Sequence, residues 1–427
     1  MTSEGKDLEL TLAIHQIDVL RFGDSTHLDG SALVVGRVDL TNHLLEDPRL
    51  QSVDLEIASP GEACRIGVVF DILEPRIKEP GAGSDYPGIL GPITTAGNGV
   101  THVLRGAAVT VVDEAAPLAN NKIVEMSGPA SEASPYSVLH HLAIVPHTDP
   151  KLERHTAQNA LRLASVKTSV VLAKTSLGQT PNATEVFQSD GPTQAGRDGL
   201  PRVAYIGQIH SRQRVAEVDE QILYGANTAG MVPVMLHPNE WLDGGVVSGY
   251  QNMGVETYFY QNHPIINELY RWHREGKITL VGTIATMAAS DNEDRERNCM
   301  LASEMAKWNL AADGVVLTKY GGGAPHADMA LTARLCEQSG IFTTVQVSDM
   351  SRDRQAESAL LFNYPEVDAI VYVGGGDTNW DLPAVEKVVA GNPAMTAALE
   401  VAQGIPAGGI CGVTSQQGIS KLRCFVY

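Results

Sequence analysis

The sequence predicts an α/β protein with a β-rich mixed N-terminal domain, followed by a doubly wound, mostly parallel α/β domain. In the first 110 residues, short runs such as 8–14 and 66–72 follow strand patterns between turn residues. Beyond residue 202, β-branched runs alternate with helical patterns, which is typical of a parallel sheet with helices on both faces. At 427 residues, the chain is also longer than one ordinary domain.

Individual elements follow from the same patterns. A helix is expected over 150–174, and residues 175–201 shift towards the Thr, Ser, Gly and Pro composition of a linker. We therefore expect a mixed N-terminal domain over 1–175, a linker over 176–201 and a Rossmann-like domain over 202–427. The strands predicted in the second domain are 203–209, 232–236, 278–283, 314–317, 342–347 and 369–373. The helices predicted there are 264–274, 293–308, 327–338 and 383–389, the last with Pro383 at its first position.

Composition excludes several classes of protein. The net charge of −19 argues against binding to nucleic acid or to an anionic membrane, because both need clustered Lys and Arg. No apolar run approaches the roughly 20 residues of a membrane span. Five widely spaced cysteines without a Cys-x-x-Cys pair suit reduced thiols. These features predict a cytoplasmic protein.

Two glycine-rich segments follow predicted strands of the second domain, at 321–323 and 374–376. Ligands of open parallel sheets bind beyond the carboxyl ends of the strands, where glycine lets backbone N–H groups approach an anion. We interpret both segments as substrate-binding loops for a carboxylate or amino acid; the alternative is that they only form tight turns. The residues concerned are Gly321, Gly322, Gly323, His326, Asp328, Gly374, Gly375, Gly376, Asp377 and Asn379.

His102 follows a glycine-rich turn in a block that is dense in charged residues. A histidine near carboxylates can act as an acid–base group or bind a metal ion, and the alternative is a structural hydrogen bond. The sequence pattern does not decide whether His102 binds a metal ion. The charged residues of the block, which can instead form a contact with a partner subunit, are Glu62, Arg65, Asp71, Glu74 and Arg76.

A series of motifs in one order runs along nearly the whole chain. They are Pro60-Gly61-Glu62, Glu74-Pro75-Arg76, Tyr86-Pro87-Gly88 and Gly97-x-Gly99-x-Thr101-His102-x-Leu104, followed by segments 124–129, 200–205, 231–233, 243–249, 264–270 and 414–418. In this order they resemble the alpha/beta precursor of component B in the glycine, sarcosine and betaine reductases.

The resemblance implies a particular chemistry. In that family the precursor cuts itself before a cysteine, which becomes an N-terminal pyruvoyl group that captures the substrate amine as a Schiff base. A partner subunit carries a selenocysteine or cysteine that attacks the adjacent carbon. An iminium withdraws electrons from the carbon–nitrogen bond, so an amine becomes a better leaving group.

This chain departs from the family at the processing position. Tyr250-Gln251 stands where the family has Asn-Cys, and no cysteine occurs between Cys64 and Cys299. Glutamine has no thiol for the acyl shift, and Ser248 lies before the cut point. We therefore expect no self-cleavage and no pyruvoyl group. Cys299 lies in a helical pattern and is expected to fill core space.

A substrate pocket around the altered processing site would be lined by His237, Asn239, Glu240 and Ser248; the alternative is a plain turn after a strand. Tyr250 and Gln251 would then place a hydroxyl and an amide where the ketone stands in relatives. With His102, they are the candidate catalytic residues.

Three functions are consistent with these observations. The first is a hetero-oligomeric component-B-type subunit that acts on a small carboxylate or nitrogenous substrate with a selenoprotein-B-like or cysteine-bearing partner. The second is a non-catalytic scaffold or small-ligand-binding subunit of such a complex. The third is a stand-alone acid–base or metal-dependent enzyme that uses His102, His326, Asp328 or Asp377.

Overall fold

The structure of the protein is a computed structural model. It describes residues 8–117, 122–189, 199–209, 227–248, 255–288, 292–319, 323–347, 366–374, 378–415, 417–418, 420–422 and 425–426. The strands in these ranges are β1 (Leu10–Gln16), β2 (Val19–Gly23), β3 (His27–Asp29), β4 (Ala32–Gly36), β5 (Leu50–Ala58), β6 (Cys64–Gly67), β7 (Val69–Leu73), β8 (Arg76–Lys78), β9 (Gly99–Arg105), β10 (Ala107–Val112), β11 (Ile123–Glu125), β12 (His140–Thr148), β13 (Ala183–Phe187), β14 (Arg202–Gln208), β15 (Val234–Leu236), β16 (Thr279–Thr286), β17 (Gly314–Thr318), β18 (Phe342–Val347), β19 (Ala369–Tyr372), β20 (Asn379–Leu382), β21 (Lys387–Val389), β22 (Ala402–Pro406) and β23 (Phe425–Val426). The helices are α1 (Arg37–Leu44), α2 (Pro129–Ala133), α3 (Arg154–Ala173), α4 (Pro238–Leu242), α5 (Thr257–Gln261), α6 (Pro264–Arg274), α7 (Asn292–Glu304), α8 (Ala324–Gln338) and α9 (Pro393–Glu400).

Among the described residues, the N-terminal half contributes to four sheets. Two are four-stranded, of order β13-β1-β9-β8 and β5-β12-β10-β7, and two are three-stranded, of order β2-β4-β3 and β11-β6-β21, where β21 comes from the C-terminal half. Helix α3 packs against strands of both larger sheets. It buries Ala160, Leu161 and Ala164, spaced to lie on one helical face, in a core shared with Leu142 and Ile144 of β12.

The C-terminal half is built on one seven-stranded sheet of order β15-β16-β14-β17-β18-β19-β23. The five strands from β16 to β19 are parallel, and the two edge strands run antiparallel to their neighbours. The predicted combination of a β-rich mixed part and a mostly parallel, doubly wound part is confirmed. Strand β14 comes first in sequence but lies between β16 and β17, so the sheet grows from β14 in both directions. This order, 2-1-3-4-5 for the parallel strands, places a crevice where the direction of growth reverses.

Sequence patterning explains why this sheet is internal. Seven of the eight residues of β16 are buried, as expected for a parallel strand that is covered on both faces.

Helix α8 begins directly after Gly323, which has a φ of +68°, and has a proline in its first turn. The glycine adopts a left-handed backbone that other residues adopt at a cost, and the proline suits a helix start.

The chain returns to the N-terminal half near its end. Strand β21 pairs in parallel with β6, and β13, from the predicted linker, pairs with β1. The prediction of a helix over 383–389 is wrong, because backbone pairing with Cys64–Ile66 makes residues 387–389 a strand. The helix begins ten residues later at Pro393, where the Asn392 side chain accepts a hydrogen bond from the Met395 N–H at 3.0 Å. In the described part of the chain, no helix is both long and apolar enough to cross a membrane.

Candidate functional site

A pocket opens at the carboxyl ends of β14, β16 and β17, beside α7 and α8. We call it the switch-point pocket. Its polar lining comes from Gln208, Thr286, Asn298, Thr318, Asp328 and Thr332. Its remaining lining residues are Ile206, Met287, Cys299, Leu317 and Met329. A cleft at this position, where the order of parallel strands reverses, is typical of a ligand site in an open sheet.

Asp328 of the pocket lining is charged, and further titratable groups lie on the neighbouring elements. Asp328 is 5% exposed, and the Arg295 Nε–H donates to its Oδ1 at 2.5 Å. Lys319 directly follows β17, and burial lowers its pKa to about 8. Burial lowers the pKa of His326 to about 4, and the Lys319 charge contributes to this shift. At pH 7, His326 is therefore neutral while Lys319 remains mainly protonated.

The predicted glycine-loop residues are divided between described and undescribed positions. Gly323 starts α8, Gly374 follows β19 with a φ of +61°, and Asn379 is exposed at the start of β20. His326 and Asp328 both lie on α8, and Asp328 lines the pocket. The others, Gly321, Gly322, Gly375, Gly376 and Asp377, lie outside the described residues.

A second cluster of hydrogen bonds holds the residues on either side of 249–254. This stretch contains Tyr250 and Gln251 and lies outside the described residues. The Ser248 N–H donates to the Thr257 hydroxyl at 2.9 Å, and that hydroxyl donates to Asp71 Oδ2 at 2.6 Å. The Thr257 N–H donates to Asp71 Oδ1 at 2.8 Å. The Arg162 guanidinium donates to the Ser248 carbonyl. Burial raises the pKa of Asp71 to about 7, although the bonds from Thr257 oppose the shift. Buried groups therefore fix both flanks of this stretch.

The predicted ligand-binding residues at 237–240 form the start of α4. His237 Nδ1 accepts from the Asn239 N–H at 3.2 Å, and Glu240 Oε1 accepts from the His237 N–H at 3.0 Å, which is a capping box. The Asn239 amide donates to the Gly97 carbonyl at 3.2 Å, and its oxygen accepts from the Tyr270 hydroxyl at 2.5 Å. These contacts fix α4 against the loop before β9.

Charged side chains bind the other end of α4. Arg76 Nη1 donates to the Leu242 carbonyl at 2.6 Å, and the same guanidinium bonds Glu74 Oε2. Asp243 pairs with Lys78 and accepts hydrogen bonds from the Gly97 N–H and the Thr101 hydroxyl. Because these groups are buried within this chain, they do not form an exposed partner surface.

His102 lies in a row of three titratable groups, of which the two histidines are buried. Its Nε2 is 2.5 Å from Glu79 Oε2, and its Nδ1 is 3.0 Å from His15 Nε2. Burial lowers the pKa of His15, with the charge of His102 as the second cause. Since Glu79 is 47% exposed, the row extends from buried His15 to the protein surface. Among the described residues, no group of three or more His, Cys, Asp and Glu side chains is placed to hold a metal ion.

The described thiols are buried and protonated. Burial raises the pKa of Cys64 to about 12 and those of Cys299 and Cys336 to about 11. The pKa of Cys411 is also raised, mainly by burial. Since the thiolate is the nucleophile, these cysteines are inert at neutral pH. Cys299 packs inside α7 with its S–H towards the Asp328 carbonyl at 3.3 Å, as expected for core filling.

Sequence reasoning did not assign roles to Arg162, Asn298 and Lys319, or single out Asp71 from its charged block. Asp71 and Lys319 carry a detectable signal, because each places a charge within or directly after an apolar strand. Arg162 and Asn298 lie on helices, and their contacts depend on distant segments, so the local pattern gives no signal for them.

Comparisons with known proteins show which family the chain resembles over nearly its whole length. Residues 8–418 match the family of glycine/sarcosine/betaine reductase component B subunits. The chain is 29% identical over 375 residues to the glycine reductase complex component B subunits alpha and beta of Acetoanaerobium sticklandii, which covers 87% of this chain and 86% of the relative. It is 29% identical over 376 residues to the sarcosine reductase complex component B subunit alpha of Peptoclostridium acidaminophilum, with the same coverage of 87% and 86%.

A further relative is the betaine reductase complex component B subunit alpha of Peptoclostridium acidaminophilum, 28% identical over 393 residues, or 90% of this chain and 88% of the relative. No solved structure matches the chain. Since the family match extends over nearly the whole chain, this protein belongs to the family of glycine/sarcosine/betaine reductase component B subunits.

Proposed function

We propose that this chain is a subunit of a component-B-type reductase complex that operates without a pyruvoyl group. With a thiol- or selenol-bearing partner, it takes part in the reductive cleavage of a C–N or similar bond in a small carboxylate or nitrogenous substrate. One observation carries the proposal: the family match covers residues 8–418, yet no cysteine lies between Cys64 and Cys299.

The residues of this chain do not fit the formation of a pyruvoyl group. Gln251 stands at the family's cysteine position and offers neither a thiol nor a leaving group on its β-carbon. Ser248 is 5% exposed. Its N–H is bonded to the Thr257 hydroxyl, and its carbonyl is bonded to the Arg162 guanidinium. The described cysteines lie elsewhere in the fold, with raised pKa values.

The state of the thiols supports a need for a partner. A nucleophile for the substrate carbon has to be a thiolate or selenolate, and the described thiols of this chain are buried and protonated. In the proposed reaction, the partner's anion forms a bond to the carbon beside the carboxylate. The C–N bond breaks, and the leaving nitrogen takes the electron pair and a proton. A dithiol reductant then cleaves the bond between this carbon and the partner's sulfur or selenium. The dithiol is oxidised to a disulfide, the carbon takes up a proton, and the partner regains its thiol or selenol.

This chain would bind and orient the substrate. The switch-point pocket offers hydroxyl, amide and carboxylate groups for this purpose. Tyr250 and Gln251 would supply a hydroxyl and an amide at the altered processing position, which follows Ser248, a residue bonded to Thr257. His102, His237, Asn239 and Glu240 remain candidate residues of this site.

Mass spectrometry and co-purification test the proposal together. We expect the purified chain to have the mass of one uncut polypeptide, about 45.6 kDa, and no carbonyl that reacts with hydrazine. We expect turnover only when a thiol- or selenol-bearing partner is co-expressed. Two fragments with a blocked second N-terminus, or full turnover by the isolated chain, would contradict the proposal.

A non-catalytic scaffold or ligand-binding role is the second candidate. It is favoured by the internal hydrogen bonding of Asn239 and His102, both of which are engaged by groups of this chain. The double variant Tyr250→Ala/Gln251→Ala distinguishes the two roles. Unchanged turnover of the assembled complex favours the scaffold, whereas a large loss of turnover with intact assembly favours direct participation.

A further inference from the structure

His147 of β12 lies between two carboxylates that come from different elements. Its Nδ1 is 2.8 Å from Glu114 Oε2, and its Nε2 is 3.0 Å from Asp54 Oδ2. Asp54 lies on β5, and Glu114 lies in the loop after β10. The His147 side chain is 24% exposed and the Glu114 side chain 27%, so solvent screens this pair only in part.

The surroundings of the two ring nitrogens require a protonated ring. A neutral imidazole carries one N–H, and its other nitrogen is an acceptor, whereas an imidazolium donates from both nitrogens. Because a carboxylate lies opposite each nitrogen of His147, a neutral ring would leave one carboxylate facing a lone pair. Burial lowers the pKa of His147, but the hydrogen bonds with Glu114 and Asp54 oppose it, and the net shift is upwards from the usual 6.5.

Glu114 also supports the start of helix α9. Its carbonyl accepts a hydrogen bond from the Asn392 side-chain amide at 3.0 Å. The oxygen of that same amide caps α9 by accepting from the Met395 N–H. A Cβ added to Gly391 would lie 2.3 Å from Glu114 Cβ, so the two residues are in close contact. The position of Glu114 therefore affects how firmly the first turn of α9 is held.

The neighbouring elements place further charged groups around this cluster. Asp113 pairs with Arg154 of α3, and Lys387 of β21 pairs with Glu56 of β5. Of these residue types and those of the cluster, histidine is the one whose ordinary pKa lies near neutrality. A change of pH near 7 therefore acts on the cluster through His147.

We propose that His147 is a pH-sensitive clamp on residues 383–400, which we call the returning segment. The protonated ring holds Glu114 and Asp54 together and keeps the Glu114 loop in place under the first turn of α9. When the ring loses its proton, one carboxylate faces a lone pair, Glu114 shifts away, and α9 is held less firmly. This inference goes beyond the proposed function and does not depend on it.

The direction of the pH effect follows from the shift. A group whose pKa is higher in the folded chain stabilises the fold while it is protonated. The contribution of His147 is therefore complete below its usual pKa of 6.5 and is lost as the pH rises through the raised pKa of the folded ring. The clamp is closed at low pH and opens at high pH.

Hydrogen exchange of the full-length chain tests the clamp. Protection factors are measured from about pH 6 to about pH 9, after correction for the intrinsic exchange rate, and compared with those of strands β17 to β19. Relative to these strands, we expect the protection of residues 393–400 to fall about fivefold, which is the effect of one partly exposed ion pair. Relative protection that does not change with pH would overturn the inference.

Two variants assign the change to His147. His147→Gln has no ionisable ring, so the fall should disappear. Glu114→Gln should also remove it, because the new amide can donate to a neutral ring while its oxygen still accepts from the Thr148 N–H. His43→Gln is the matched control, since His43 of α1 lies 3.3 Å from Glu46 and should have no part in holding α9. This variant should show the same fall as the wild type.

A fall that persists in His147→Gln would show that another group is responsible and would refute the clamp. If that variant fails to fold, Glu114→Gln and NMR of the histidine-labelled chain decide. The His147 ring should titrate at a lower pH in Glu114→Gln than in the wild type. An unchanged titration, or a fall of the wild-type size in Glu114→Gln, would contradict the inference.

Discussion

Asp71 shows how burial alters the chemistry of a single residue. Its carboxylate accepts three hydrogen bonds, two from the N–H groups of Ile72 and Thr257 and one from the Thr257 hydroxyl. These bonds favour the charged form, but Asp71 is only 2% exposed, and desolvation is the larger effect. Its pKa of about 7 means that a neutral and a charged form are both populated near physiological pH.

The protonation of Asp71 makes the stability of the chain dependent on pH. An unfolded aspartate titrates near 4, so between pH 4 and 7 the folded chain binds a proton that the unfolded chain releases. The free energy of unfolding of the wild type should therefore fall as pH rises through this range, relative to Asp71→Asn, by about 1.4 kcal/mol per pH unit. Above pH 7 the difference should level off. Urea unfolding of both proteins from pH 5 to 8.5 measures it.

A second variant tests the cause of this pH dependence. Thr257→Val removes a hydroxyl donor from the Asp71 carboxylate and should move the upper end of the sloping range above that of the wild type. If the wild-type and Asp71→Asn stabilities run parallel across the whole range, Asp71 does not titrate as we infer.

Among secondary-structure elements, the sequence pattern was most informative where burial repeats with a regular period. The predicted strand 203–209 corresponds to β14 (Arg202–Gln208), and the predicted helix 264–274 coincides with α6. The helix predicted over 383–389 is wrong, because pairing with β6 determines the conformation of residues 387–389. Strand β6 lies more than 300 residues earlier in the chain. Patterning predicted that a site would lie at strand ends. It did not show which helix residues face that site, because Asn298 and Arg295 are positioned by the packing of α7 against α8.

Helix α4 depends on a close approach of its backbone to Gly97. This glycine has a φ of +86°, and an added Cβ would lie 2.8 Å from the backbone of Asn239 and Glu240. Gly97→Ala should therefore cost left-handed strain of about 1–2 kcal/mol together with an overpacking cost of about 1–3 kcal/mol. Thermal or urea unfolding measures the total.

Gly81 provides a matched control for this prediction. It has a φ of +87°, but an added Cβ would meet no atom within 4 Å. Gly81→Ala should therefore show the strain cost alone. Equal destabilisation by the two substitutions would show that the contact between Gly97 and α4 is not tight.

At the scale of the whole molecule, a buried arginine adds to the pairing of β21 with β6 in holding the returning segment against the N-terminal half. Arg65 of β6 is 0% exposed and bonds both carboxylate oxygens of Glu125, at 2.5 and 3.0 Å. Its remaining N–H groups donate to the carbonyls of Pro383, before β21, and Leu399, in the last turn of α9. A single guanidinium therefore links β11, β6 and the returning segment, which a local sequence pattern cannot reveal.

Loss of this guanidinium should loosen the returning segment before the rest of the molecule. Arg65→Met leaves Glu125 buried without its cation, a change that costs about 3–5 kcal/mol in comparable pairs. Hydrogen exchange of residues 383–400 should accelerate strongly, while strands β17 to β19 should retain most of their protection, because they pack with α7 and α8 in a separate hydrophobic cluster. The double variant Arg65→Met/Glu125→Leu should recover part of the loss, since no buried charge remains unpaired.

Arg271→Ala, which breaks an exposed ion pair on α6, should leave exchange in 383–400 unchanged. Uniform acceleration across the whole chain in Arg65→Met would instead mean that both halves unfold as one unit and that the arginine does not hold the segment locally.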